Sequence, residues 1–377
     1  MLLNLDDYEK AARGRLPRPL FGYVAGAAET NAARSDNRAA YAELRLLPRV
    51  LRGVEGRSIA TELLGQSWSA PFGIAPMGLS ALMAHDGDRV LARAARSAGV
   101  PFILSGSSLT RLEDVREANP DAWFQAYLPG EETPIRALVE RIRRAGYGTL
   151  VLTADTAVLA NRENNLRAGF STPLRLTPRL IADFAVRPRW VFDTFLRSLA
   201  RQGMPHFENS FATRGAPIIS RQAVRDFGRK DHLNWDHARL IRDLWPGKLV
   251  IKGLLAPGDV KEARQIGCDA VVLSNHGGRQ LDYAICSLRA LARARPEVGD
   301  MALIIDGGLR RGTDVLKALA LGADFVLVGR PMLFAASLGG QAEVERALGI
   351  LHTEVLRDLG LLGLRSIAEV GPDIIDR

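Results

Sequence analysis

Short apolar runs, each bounded by glycine, proline or polar residues, recur along the chain from residue 72 onward. They are continuously apolar rather than alternating, which is typical of strands covered on both faces. Helical patterns lie between most of the runs, for example at 87–99, 135–146 and 312–323, and several end at a glycine. The pattern predicts eight strands, at 72–79, 102–106, 122–128, 148–155, 248–255, 270–277, 302–308 and 325–331.

Strand and helix that alternate eight times predict an α/β fold, a (β/α)8 TIM barrel. A doubly wound open sheet is the alternative at this point. Residues 1–71 are predicted as a helical N-terminal cap of the same domain, with helices at 6–16 and 31–44, and 72–377 as the barrel. Between Asp155 and Lys248 the chain is far longer than one βα unit requires, so we expect an insertion after strand four, at about 172–215.

Composition restricts the function classes. The chain has 377 residues, 47% of them hydrophobic, and 50 basic against 42 acidic residues give a net charge of +8, which suits an anionic ligand, a membrane surface or nucleic acid. We expect no nucleic-acid partner, because the chain has no recognised binding motif and no interleaving of aromatic and basic residues. Cys268 and Cys286 are the two cysteines, too few for a disulfide framework and without a metal-binding spacing, so no metal is expected. The sequence shows no secretory signal and no apolar stretch of membrane-spanning length, which predicts a cytoplasmic protein.

Polar residues cluster where the predicted strands end. The carboxyl ends of all strands in a TM barrel share one mouth, where such folds keep their chemistry. The clustered residues therefore predict an active site; they are Ser105, Gln125, Tyr127, Thr153, Asp155, Lys252, Ser274, His276, Arg279, Asp306 and Arg330.

The segment 306–331 adds an anion-binding signal. Gly307, Gly308 and Arg310 precede a predicted helix, and Gly329 and Arg330 follow the next strand. Glycine lets backbone N–H groups approach an anion, and this corner of a barrel commonly binds phosphate. We expect a ligand that carries a phosphate group.

Six motifs resemble those of the FMN-dependent 2-hydroxy acid dehydrogenase and oxidase family, which includes glycolate oxidase, membrane-associated lactate dehydrogenase and mandelate dehydrogenase. The similarity extends from about Leu5 to Ile367 and weakens around 172–215. Motifs in the same order over this length are far more specific than one glycine-rich loop. The motifs are LFGYVAGAAE, FQAYLP, LTADTAVLANRENNLRAGF, SNHGGRQLD, DGGLRRGTDVLKALALGA and VGRP.

The resemblance implies oxidation of an L-2-hydroxy acid to the 2-oxo acid, with FMN as cofactor. It makes His276 the base and Asp155 the group that orients and stabilises it. Arg162 and Arg279 would bind the substrate carboxylate, because a planar guanidinium matches two oxygens. Tyr23 and Tyr127 would hydrogen-bond the carboxylate and the reacting oxygen. Each of these residues could instead have a structural role.

The resemblance also assigns a set of cofactor-binding residues. Lys252 would lie beside the N1–O2 edge of the flavin, where a fixed cation stabilises the anionic reduced ring. The remaining matches to flavin-ring and ribityl-phosphate positions are Pro76, Met77, Gly78, Ser105, Gln125, Thr153, Ser274, Asp306, Gly308, Arg310, Gly329 and Arg330.

Two departures from the family pattern, at Ser107 and Gly78, bear on specificity, and a third, at Asn161, bears on local charge. Ser107 stands where glycolate oxidases usually have tryptophan, which favours a bulkier substrate, such as an aryl or longer-chain acid; Met83 and the insertion could refill that space. Gly78 stands where oxidases of the family tend to have alanine, which favours a dehydrogenase that passes electrons to quinone or another acceptor. Asn161 replaces a basic residue of many relatives.

The alternative functions are an oxidase of the lactate or glycolate type that reduces O₂ to H₂O₂, and a family member that acts on a peptide-derived substrate. A barrel enzyme that uses FMN for non-redox chemistry would lack the combination of His276, Arg279 and Tyr23.

The insertion suggests peripheral contact with the inner face of the cell membrane through residues 175–205. Phe192, Phe195, Leu196 and Leu199 have helical spacing, with Asp193, Thr194, Arg197 and Arg201 expected on the opposite face. Trp190 would suit a membrane interface. The alternative is a helix packed on its own barrel or on a neighbouring subunit, and the resemblance implies a homo-oligomer, a tetramer.

Overall fold

Eight parallel strands form the centre of the computed structural model, which describes residues 1–171, 177–220 and 230–376. The sheet order is β4-β11-β10-β9-β8-β7-β6-β5, and a parallel bridge between Ile74 and Phe102 joins its two end strands. This closed arrangement confirms the TIM barrel over the open sheet. The barrel strands are β4 Phe72–Ile74, β5 Ile103–Ser105, β6 Trp123–Ala126, β7 Thr149–Thr153, β8 Lys248–Leu254, β9 Ala270–Leu273, β10 Ala302–Asp306 and β11 Phe325–Val328.

Each barrel strand lies inside one of the eight predicted runs and ends earlier than the run does. The last residues of each run, such as the polar ones after Leu273, belong to the loops at the mouth. Apolar side chains fill the barrel interior, where Val151, Val250 and Val272 are fully buried.

Helices surround the barrel and cover its outer apolar face. In the helices Gly87–Ser97 (α5) and Glu132–Arg144 (α7) the apolar positions face the strands, and basic residues lie in the last turn of each helix, where the helix dipole favours positive charge. The long last helix is interrupted at Gly340, whose φ of 64° suits glycine. The helices after β4 are α4 Ser80–Met83, α5 Gly87–Ser97, α6 Leu112–Ala118, α7 Glu132–Arg144, α8 Glu163–Ala168, α9 Pro178–Ala185, α10 Pro188–Trp190, α11 Arg197–Gln202, α12 Trp235–Leu244, α13 Pro257–Ile266, α14 Ser287–Ala294, α15 Gly312–Ala320 and α16 Arg330–Leu361.

The N-terminal region contains three helices, α1 Leu5–Arg15, α2 Arg18–Ala25 and α3 Ala32–Glu43. The sequence pattern predicts α1 and α3, but it misses α2 and the hairpin of β2 Thr61–Leu63 and β3 Gln66–Trp68. Leu63 and Trp68 of this hairpin pack in the same cluster as the barrel interior. The short strands β1 Arg45–Leu46 and β12 Ile375–Asp376 pair with each other.

The insertion contains helices α9, α10 and α11, with a π-helical stretch at Val191–Leu196. The amphipathic assignment of the sequence is partly wrong here. Trp190 is 2% exposed and its indole Nε1 donates to the carbonyl of Leu82, so it belongs to the core rather than to a membrane interface. Thr194 is buried rather than on the polar face, because the wider π-helical turn shifts the phase of the helix. Residues 172–176 of the expected insertion, which include the first two residues of the expected membrane segment, lie outside the described residues.

Candidate active site

A cavity of about 310 Å³ opens at the carboxyl ends of the barrel strands. This volume lies at the lower end of the range of small-molecule and cofactor sites. Its wall is formed by loops that follow the barrel strands, by α2 from the N-terminal region, and by residues of the long connection between β7 and β8. The predicted strand-end cluster is therefore one site.

His276 and Asp155 form the central contact of this site. The Nδ1 atom of His276 lies 3.0 Å from Oδ1 and 3.1 Å from Oδ2 of Asp155. Burial lowers the pKa of the imidazole below its ordinary value, and the carboxylate restores it only in part. Burial raises the pKa of Asp155, but the neighbouring His276 and Lys252 outweigh this effect and hold the pKa below its ordinary value. The geometry therefore favours a neutral imidazole beside an ionised carboxylate, as a general base requires.

The backbone of His276 has a left-handed conformation, with φ of 57°, which is uncommon for a residue with a side chain. Its amide donates to Ser274 Oγ at 2.9 Å. Gly277 and Gly278 also have positive φ, and a Cβ atom at Gly278 would lie 2.6 Å from the backbone nitrogen of Arg34. The glycines thus let the loop turn tightly against the N-terminal region.

The loop is fixed from the N-terminal side by α3 and the turn before it. Asn37 and Asn275 exchange two amide hydrogen bonds, of 2.9 and 2.8 Å. Asp282 accepts from the backbone amides of Thr30 and Ala33 at 3.0 and 2.9 Å. Residues before the barrel therefore help to position the catalytic loop.

Two guanidinium groups line the cavity beside His276. Arg279 donates from Nη1 to the carbonyl of Tyr23 at 2.6 Å and lies over the Tyr23 ring, 4.8 Å from its centroid. Arg162 donates from Nε to the carbonyl of Arg279 and from Nη2 to Gln280. Burial lowers the pKa of Arg279 to about 10, and the nearby charge of Arg162 acts in the same direction. Two adjacent, partly buried cations favour an anionic ligand between them.

Tyr23 and Tyr127 complete this side of the cavity. The Tyr23 ring packs on Phe170, with 4.5 Å between centroids. Burial and the nearby carboxylate of Asp155 raise the pKa of Tyr127, so its hydroxyl keeps its proton and can donate.

Lys252 is buried on β8 between two strand ends. Its Nζ lies 3.0 Å from Oδ2 of Asp306 and donates to Ser274 Oγ at 2.8 Å. Burial alone would lower the pKa of Lys252, but Asp306 and Asp155 raise it above its ordinary value. This lysine is a permanent cation in the cavity wall.

Arginines and glycines form the opposite end of the cavity. Burial lowers the pKa of Arg310 to about 10, and burial together with Arg279 and other guanidiniums lowers the pKa of Arg330 well below its ordinary value. A Cβ atom at Gly308 would lie 1.9 Å from the carbonyl oxygen of Asn37, so no other residue fits there. Concentrated positive charge next to open backbone suits a phosphate group.

The residues present fit FMN. Three buried polar atoms at predicted flavin positions have no hydrogen-bond partner in the described protein: Nε2 of Gln125, Oδ1 of Asp306 and Nε of Arg310. Such atoms are costly when unpaired. Gln125 Nε2 can donate to a carbonyl oxygen or ring nitrogen of the flavin, Asp306 Oδ1 can accept from a ribityl hydroxyl, and Arg310 Nε can donate to a phosphate.

Most predicted site residues line the cavity, and four lie behind its wall. Ser105 and Gln125 bond to each other, with 3.0 Å between Oγ and Oε1. Ser274 supports Lys252 and His276 as described, and Asp155 contacts the cavity through His276. The predicted residues in the lining are Tyr23, Pro76, Met77, Gly78, Tyr127, Thr153, Arg162, Lys252, His276, Arg279, Asp306, Gly308, Arg310, Gly329 and Arg330.

Sequence reasoning missed several residues of the wall. Gln280 accepts from Arg162 at 2.6 Å and donates to the backbone carbonyl of Asp155 at 2.9 Å, so it links the carboxylate site to the base. Its position in the quoted motif SNHGGRQLD was the available signal. Phe207 and Lys230, from the long connection between β7 and β8, had no such signal in the sequence.

Comparisons with known proteins identify the family of the chain. A family model for FMN-dependent dehydrogenase matches residues 12–377. The chain is 38% identical to (S)-mandelate dehydrogenase of Pseudomonas putida over 375 residues, covering 99% of this chain and 94% of the relative. It is 37% identical to L-lactate dehydrogenase of Xanthomonas campestris pv. campestris (strain 8004), covering 98% and 96%.

Solved structures show the same similarity. The crystal structure of the monotopic membrane protein (S)-mandelate dehydrogenase has a TM-score of 0.93 and 37% identity, covering 100% of this chain and 99% of that one. A mandelate oxidase structure with (S)-2-phenylpropionate has a TM-score of 0.82 and 31% identity, covering 100% and 98%. The protein therefore belongs to the FMN-dependent dehydrogenase family, uses FMN, and acts on CH–OH donors.

Proposed function

We propose that the protein oxidises an L-2-hydroxy acid with a bulky or aryl side chain to the 2-oxo acid, and passes the electrons to quinone or another acceptor rather than O₂. The observation that carries this proposal is one cavity that brings together the pair of His276 and Asp155, two guanidiniums and the glycines and arginines of the last two strand ends. Bound FMN supplies the two-electron acceptor for this chemistry.

The proposed roles follow from the contacts. Arg162 and Arg279 bind the carboxylate. The hydrogen bonds that fix Arg162 use Nε and Nη2, and those that fix Arg279 use Nη1, so other N–H groups of both guanidiniums are left to donate to the substrate. His276 takes a proton from the substrate through Nε2, because Nδ1 faces Asp155. Asp155 then stabilises the imidazolium.

Two further groups act on the reacting atoms. Tyr127 donates a hydrogen bond to the substrate, and Tyr23 lies beside the carboxylate-binding Arg279. Lys252, Asp306, Arg310 and Arg330 would hold the flavin, with the guanidiniums at its phosphate.

Wall composition supports a bulky substrate. Ser107 lines the cavity at the position where the sequence predicts added space, and Val158, Leu159, Phe170 and Phe207 give the same cavity apolar surface. Mandelate, which is named in several related proteins, fits this description. Measurement of kcat/KM for glycolate and mandelate tests the substrate, and equal values would contradict it.

The proposed acceptor rests on Gly78. An added Cβ there would lie 3.0 Å from Cβ of Ser107, so the wall is more open with glycine than with alanine. The alternative is an oxidase that reduces O₂, a chemistry that the name mandelate oxidase attributes to a relative. Stoichiometric H₂O₂ formation with O₂ as the sole acceptor would favour the oxidase. A spectrum of the purified protein, recorded without oxygen while 2-hydroxy acids are added, tests the whole proposal, because the substrate bleaches the flavin.

A membrane contact through the insertion is a second proposal. No helix in the described ranges is long and apolar enough to span a membrane. Phe192 is 65% exposed and Leu196 42% exposed, and Ile181 and Val186 are exposed as well, with Arg197 and Arg201 nearby in the chain. Exposed apolar side chains among cations suit an anionic lipid interface. The proposed location is cytoplasmic and peripheral, and the homo-oligomer stays a prediction.

Substitution tests this contact better than deletion, because Trp190 in the same segment is part of the core. We expect the variant F192S/L196S to bind phosphatidylglycerol vesicles about tenfold more weakly than the wild type. The control L361S changes an exposed leucine on α16. Equal binding of all three proteins, with unchanged flavin spectra, would contradict the proposal.

A further inference from the structure

Lys230 is a third cation in the substrate half of the cavity. It belongs to the connection between β7 and β8, and its Nζ lies 4.8 Å from the centroid of the Tyr127 ring. The cavity lining includes both Lys230 and Phe207 of the same connection. The lysine therefore faces the space beside the proposed hydrogen-bond donor to the substrate.

Unlike several other buried cations of the site, Lys230 has no carboxylate partner within the described ranges. Lys252 pairs with Asp306, and Arg310 lies 3.4 Å from Asp6. Lys230 contacts a ring face instead, and burial lowers its pKa to about 8. A partly desolvated ammonium without a counter-charge is unfavourable.

The two guanidiniums already satisfy the carboxylate that every 2-hydroxy acid carries. A further cation is not needed for that group, and the same cavity offers the apolar side chains of Phe170, Phe207 and Val158. The arrangement matches a side chain with a hydrocarbon part and a charged end.

We propose, on the basis of the proposed function, that the preferred substrate carries a second carboxylate at the end of its side chain, and that Lys230 binds it. The hydrocarbon part packs on the phenylalanines while the second carboxylate accepts from Nζ. Lys230 is then a specificity residue for a 2-hydroxy dicarboxylate.

The test compares two substrates of nearly equal shape, para-carboxymandelate and the neutral para-carbamoylmandelate. We expect the wild type to prefer the carboxylate by about tenfold or more in kcat/KM, because the amide oxygen can still accept from Nζ but does not neutralise the charge of a partly buried lysine. In K230M this preference should disappear, and in K230R most of it should remain. The control K261M replaces an exposed lysine on α13. Binding is measured separately from turnover, by titration of the oxidised flavin spectrum with the two corresponding 2-oxo acids.

The outcomes are distinct. Loss of the preference in K230M, in both turnover and binding, supports the proposal. The proposal is overturned if the wild type shows no preference, or if K230M keeps the preference. It is also overturned if K230M changes only the pH profile, because Lys230 would then act through Tyr127. If mandelate and both substituted acids all fail to bleach the flavin, the proposed function itself is wrong; if mandelate bleaches it and the preference is absent, only the role of Lys230 is wrong.

Discussion

The imidazole of His276 contacts the carboxylate of Asp155 across 121 positions of the chain, with Nδ1 3.0 Å from Oδ1. The contact leaves Nε2 for the substrate and places a negative charge where an imidazolium would form. It also opposes the effect of burial, which lowers the pKa of His276. The pair therefore sets both the orientation and the proton affinity of the proposed base.

Replacement of Asp155 by asparagine should slow the reaction and change its pH dependence. Since the pKa of His276 lies below its ordinary value of 6.5, we expect the wild-type kcat/KM to rise with pH and to reach its plateau at or below neutral pH. D155N removes the charge that raises this pKa, so the rise of kcat/KM with pH should occur at lower pH than in the wild type. The plateau should fall by about a hundredfold or more, because the imidazolium loses its counter-charge.

Anaerobic stopped-flow measurement of flavin reduction at several pH values checks both effects. The matched control is D121N, a change at an exposed aspartate outside the site. If the pH profile of D155N rises at the same pH as that of the wild type and reaches the same plateau, Asp155 does not act on the base.

The buried pair of Lys252 and Asp306 should matter for stability as well as for the cofactor. K252M leaves the Asp306 carboxylate buried without its cation, and we expect unfolding of the apoprotein to require about 3–5 kcal/mol less free energy. The double variant K252M/D306N should recover part of the loss at neutral pH.

Urea unfolding of the apoproteins measures these differences. E140Q, which breaks exposed pairs with Arg143 and Arg144, is the control and should unfold as the wild type does. Equal stability of K252M and the wild type would mean that the pair is not energetically coupled.

Arg310 should distinguish FMN from riboflavin. Its Nε makes no hydrogen bond in the described protein and lies 3.4 Å from Oδ1 of Asp6, and burial, which an anion would offset, lowers its pKa to about 10. We expect R310M to weaken FMN binding by roughly tenfold to a hundredfold, and to leave riboflavin binding nearly unchanged, because riboflavin has no phosphate.

Fluorescence titration of the apoprotein with both flavins gives the two affinities. R346M, at a half-exposed arginine on α16, is the control for the loss of one positive charge. An equal loss for both flavins in R310M would indicate a distorted cavity rather than a phosphate contact.

The sequence predicts the barrel well because both faces of each strand are covered, which leaves continuous apolar runs such as 270–273. It predicts the strand-end cluster because parallel strands present their carboxyl ends at one mouth. Lys230 was not predictable, since its position depends on how a long connection folds back over Tyr127. The burial of Trp190 and Thr194 was not predictable either, because a π-helical turn changes the periodicity on which the amphipathic assignment depends.

Ser107 should control the size of the substrate. Ser107 lines the cavity, and a Cβ atom added at Gly78 would lie 3.0 Å from the Cβ of Ser107. Little free space therefore separates the two positions. An indole at position 107 must therefore extend into the cavity. We expect S107W to lower kcat/KM for mandelate roughly tenfold or more relative to glycolate. S107A, which removes the hydroxyl without adding bulk, should leave the ratio of the two substrates unchanged. Steady-state kinetics, normalised to bound FMN, measure that ratio, and an equal loss for both substrates in S107W would place the substrate side chain elsewhere in the cavity.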